Sequence, residues 1–136
     1  MYKFFAMAAV VITLSGCAPA TVQQLREQPK GQLTFQVAQN YQAVYRTILR
    51  SARKCHQGGM ITAQMVVQGD LYTDLQAGEV VVALHGAAGV DTHLGIDIKA
   101  VADNVTEVKV YSAFSNLATS RAVQAWVEKS SDLCVA

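Results

Sequence analysis

The sequence predicts an α+β fold: a two-layer sandwich, mainly antiparallel sheet with two helices on one face, in the order β-α-β-β-β-β-α. Three observations carry this. Apolar residues recur at the 3,4 spacing of one helix face from Tyr41 to Ala52. Several later segments alternate apolar and polar residues, separated by short turn signals. A second amphipathic stretch, from Ser120 to about Leu133, ends the chain. Two one-sided helices and a one-sided sheet have a simple solution, in which both helices pack on the same sheet face.

The elements follow in order. Leu33-Thr34-Phe35-Gln36-Val37 alternates, which predicts a half-buried strand. Asn40 is placed to cap a helix whose inward positions are Tyr41, Val44, Tyr45, Ile48, Leu49 and Ala52. Arg53, Lys54 and His56 suit its negative pole, and Gly58-Gly59 can terminate it. Thr62 to Tyr72 reads as a strand interrupted at Gly69-Asp70, and Glu79 to His85 is strongly β-prone. His93 to Ala102 sets Leu94, Ile96 and Ile98 opposite His93, Asp97 and Lys99. Thr106 to Phe114 sets Val108 and Val110 opposite Glu107, Lys109 and Tyr111. Turns at Gln76-Ala77-Gly78, Gly86 to Asp91 and Asp103-Asn104 predict a meander with one face toward water. In the last helix Ala122, Val123, Trp126, Val127 and Leu133 are expected to point inward.

Of the 136 residues, 51% are apolar and 15% charged, so the chain is long and apolar enough for one domain with a core. Eleven basic against ten acidic residues give +1. That near-neutral balance offers no general attraction to nucleic acid, and no nucleic-acid partner is expected. At the N-terminus, Lys3 precedes the uncharged run Phe4 to Ile12, and the small residues Ser15 and Gly16 lead to Cys17. This is the layout of a secretory signal peptide. The 15 residues from Phe4 to Ala18 fall short of the ~20 that a transmembrane helix needs.

Leu14-Ser15-Gly16-Cys17 resembles the lipobox of bacterial lipoproteins at all four positions. The resemblance implies that the Cys17 thiol is alkylated with diacylglycerol, residues 1–16 are removed, and the new α-amine is acylated. Two or three acyl chains hold a protein firmly to a bilayer, where one holds it marginally. Ala18, rather than Asp, follows the cysteine, which implies the outer membrane and its periplasmic face. In layout the whole chain resembles small proteobacterial lipoproteins: residues 1–16 a signal peptide, 17–32 a lipidated cysteine and flexible tether, and 33–136 a periplasmic α+β domain. The tether is read from a stretch rich in Gln with Pro29 and Gly31 and few large apolar residues.

In an oxidising periplasm, Cys55 and Cys134 read as a disulfide; free structural thiols or pairing between chains are the alternatives. Cys55-His56 is no nucleophile pair, because neighbours on a helix diverge. His85 and His93 flank a hairpin turn beside Asp91 and Asp97, so they are weak candidates for a metal set against the ordinary reading of exposed polar residues. Gly86-Ala87-Ala88-Gly89 lacks the Lys-Ser/Thr end of a phosphate loop and sits between strands. Arg46, Arg50, Arg53 and Lys54 gather into one basic stripe, either a solvated face or a contact for an anionic partner. No catalytic order and no cofactor signature stands out among three His and ten acids.

The expectation is a non-enzymatic, outer-membrane-anchored subunit of an envelope assembly, held by lipid and bound to a protein partner. Its outline looks like the small domains of envelope lipoproteins in assembly and secretion machines. A ligand- or glycan-binding module, or an inhibitor of a periplasmic hydrolase, is the alternative. A small-molecule binder should show a deep apolar pocket, whereas an assembly subunit should show a flat patch or an open strand edge.

Overall fold

The computed structural model describes residues 18–134, so Cys17, the expected lipidation site, and the segment expected to be a signal peptide lie outside the described residues. The elements are α1 (Val22–Glu27), β1 (Gly31–Val37), α2 (Tyr41–His56), β2 (Gly58–Met60), β3 (Ala63–Tyr72), β4 (Ala77–Gly86), β5 (Gly89–Ala102), β6 (Val105–Ser112) and α3 (Ala118–Glu128). The strands form one antiparallel sheet in the order β1-β6-β5-β4-β3-β2. The fold is α+β with an open sheet, and α2 and α3 share one face of it, as the amphipathic spacing requires.

The core lies between that face and the two helices. Val44 and Ile48 of α2, with Val123 and Trp126 of α3, are buried with Phe35, Val80, Ile96, Ile98, Val108 and Val110 of the sheet. Asn40 caps α2 as its position suggests, its Oδ1 accepting from the Gln42 N–H at 2.9 Å. At the other end of α2, Cys55 and Cys134 form a disulfide with Cα atoms 5.2 Å apart. It closes a loop of sequence separation 79, worth on the order of 4 kcal/mol in the chain-entropy view.

Four expectations need correction. The stretch read as a tether is folded: Thr21 caps α1 through a reciprocal bond with Gln24, and Leu25 is fully buried. Helix α1 lies on the sheet face opposite α2 and α3, packing Val22 and Leu25 over Gly95, so that face is covered in part. Strand β3 runs unbroken through Gly69-Asp70, because α2 approaches so closely that a Cβ at Gly69 would sit 2.7 Å from Leu49 Cδ1 and Tyr45 Oη. The glycine serves close packing and not a turn. Gly58-Gly59 follows α2 as the short edge strand β2. Finally, α3 stops at Glu128; Ser130 has positive φ, and the tail turns back toward Cys55, leaving Leu133 exposed while its carbonyl accepts from Trp126 Nε1 at 3.0 Å.

Candidate functional site

Strand pairing gives the sheet two edges: β1, which pairs only with β6, and the flank formed by β2 and β3. β2 covers only the first part of β3, through Gly58↔Met65, Gly59↔Gln64 and Met60↔Ala63. From Val66 to Tyr72, β3 pairs with β4 on one side and, among the described residues, with no strand on the other. Alternate residues there turn their N–H and C=O groups outward, which is a template for an added strand. The devices that usually protect an edge, lysine and proline, are absent from this segment. Its end carries exposed Leu71 and Tyr72, followed by exposed Leu75 in the turn.

The charges beside this edge are arranged by register. Asp70 stands opposite Glu79, and Glu79 opposite Asp97, so three carboxylates form a row across β3, β4 and β5. Like charges directly opposed are unfavourable. Arg26 of α1 resolves two of them: its Nε donates to Asp97 Oδ2 at 3.0 Å, its Nη2 to Asp97 Oδ1 at 2.5 Å and also to Glu79. The Asp97 hydrogen bond, followed by that from Glu79, holds the guanidinium pKa above its ordinary value despite partial burial. Asp70, at the edge, forms no ion pair among the described residues. This arrangement escaped sequence reasoning because Arg26 lies 71 residues from Asp97.

The residues singled out from the sequence fall as follows. Arg46, Arg50, Arg53 and Lys54 are all exposed on α2, and Lys54 Nζ lies 3.7 Å from Asp132. The hairpin between β4 and β5 does form, but it sets Val90 opposite His85. His93 sits where the register shifts, and its ring meets Phe114 edge-on at 5.2 Å. The two imidazoles are therefore not brought together, and among the described residues no three His, Cys, Asp or Glu side chains form a metal-sized group. His56 packs edge-on against Trp126 at 6.2 Å, with Nε2 buried and unpartnered. Burial, then the field of His93, lowers its pKa.

A groove of about 530 Å³ runs beside α1, lined by residues that include Pro19, Gln24, Lys30, Asp91, His93 and Phe114. Its walls mix polar and apolar groups, and it differs from the deep apolar pocket expected of a small-molecule binder. Among the described residues no helix is long and apolar enough to cross a membrane. No protein-family model matches this sequence, and no curated protein matches it either.

Proposed function

We propose that the protein is a non-enzymatic lipoprotein, anchored through Cys17 at the periplasmic face of the outer membrane, that serves as an interaction subunit of an envelope assembly. The observation that carries the interaction reading is the open edge of β3 from Val66 to Tyr72. A partner adds an extended segment there, with main-chain hydrogen bonds supplying affinity and side chains supplying selectivity. Asp70 sets the chemistry of that segment. It already faces Glu79 on one side, so a basic residue opposite it on the added strand relieves the like-charge pair.

The test uses a photo-crosslinking residue at Gln68, on the edge, and at Lys109, on β6 away from it, in intact envelopes. A discrete adduct is expected from Gln68 only, and Asp70→Lys should abolish it. Equal adducts at both positions, or an adduct indifferent to Asp70→Lys, would contradict the edge as the binding site.

A further inference from the structure

The chain enters the fold at one end of the sheet, and that end carries most of the exposed large apolar side chains. Gly31, Ser112, Leu94, Val82 and Val67 form a row across five strands and define the direction. On one side of this row lie the β2–β3 turn, the β4–β5 hairpin tip, the residues after β6 and, through the disulfide, the C-terminal tail. Ile61 there is 99% exposed, Leu133 78%, Met60 74%, Phe114 51% and Val90 38%. Lys30, Arg53 and Lys54 are exposed at this end, Lys54 beside Asp132, and Glu27 and Asp91 line the groove that Lys30 and Phe114 share. Exposed apolar tips flanked by lysine and arginine suit a bilayer surface, where apolar side chains reach the boundary between headgroup and acyl chain and long cationic ones reach phosphates.

The N-terminal strap fixes this end relative to Cys17. The Pro19 carbonyl accepts from the Thr92 N–H at 2.7 Å, Leu25 is buried, and Arg26 clamps Asp97 and Glu79. Only Ala18 separates Pro19 from Cys17, and two residue steps span at most about 7 Å. A lipid on Cys17 therefore leaves no length for the domain to swing away while the strap stays docked. We infer that this end is a membrane-contact surface, with Ile61, Met60, Phe114, Val90 and Leu133 entering the headgroup region and Lys30, Arg53 and Lys54 meeting lipid phosphates. The inference rests on the lipid-anchoring reading of Cys17 and adds an orientation to it: the open β3 edge stands along the flank, clear of the bilayer.

The experiment uses the lipidated chain in vesicles of phosphatidylethanolamine and phosphatidylglycerol, some containing acyl chains brominated near the headgroup. Ile61→Trp, Phe114→Trp and, at the opposite end, Leu75→Trp each add an emitter to the buried native Trp126. Brominated lipid should quench the added emission at positions 61 and 114 by about twofold, with a blue shift, and leave position 75 unchanged. Vesicle flotation without quenching at 61 and 114 overturns the contact surface while leaving the anchor intact. A blue shift without quenching also overturns it, and indicates that a second copy covers these side chains. Loss of flotation for the unmutated chain overturns the anchoring reading, and the contact surface falls with it.

Discussion

Arg26 joins a helix to two carboxylates that would otherwise oppose each other across β4 and β5. Removing it leaves Glu79 and Asp97 facing without a cation, so Arg26→Ala should cost about 1.5–3 kcal/mol in urea unfolding. Arg26→Lys should recover only part, because an ammonium cannot fork to both acids; a loss below about 0.5 kcal/mol for the alanine variant would contradict the clamp. His56 makes a second prediction. Its pKa lies below the ordinary imidazole value because the ring is buried, so the unfolded chain takes the proton first as pH falls. The stabilisation from a neutral His56 is therefore complete above about pH 6.5 and is lost on acidification through the lower, folded-state value. Urea midpoints should drop between pH 7.5 and pH 5, and His56→Asn should flatten that slope; an unchanged slope would contradict the assignment.

Helix α1 has six residues, too few to form alone, so its order comes from docking. Gly95 makes the docking site, since a Cβ there would lie 2.8 Å from Val22 Cγ2. Gly95→Val should lift α1 from the sheet while leaving the α2–α3 core folded, read as faster tryptic cleavage at Arg26 with circular dichroism largely retained. Cleavage no faster than in the unmutated chain would contradict α1 docking at Gly95. The contrast with α2 shows what the sequence makes legible. A 16-residue helix repeats its apolar spacing enough to reveal both type and inward face. Helix α1 offers one large apolar residue, and its ionic partners lie 53 and 71 positions away, so its segment reads as a linker. Likewise β2 has no alternation of its own, and β3 hides a packing glycine that looks like a break.

At the scale of the whole molecule, pattern reveals strands but not which flank of a sheet stays open, and so the β3 edge was not legible beforehand. The disulfide was, because an expected oxidising compartment and the cysteine count constrain it without reference to strand order. The fold that results has two distinct surfaces. One end gathers the N-terminal strap, the disulfide and the exposed apolar tips, and the flank beyond β2 presents the unpaired stretch of β3. Both proposals depend on the state of one residue, so the mass of the N-terminal peptide from membrane-extracted protein is the most direct test. The account predicts a peptide beginning at Cys17 and carrying diacylglycerol and an N-linked acyl chain, lost in Cys17→Ala. A mature N-terminus at any other residue, or an unmodified Cys17 in membrane-bound protein, would contradict it.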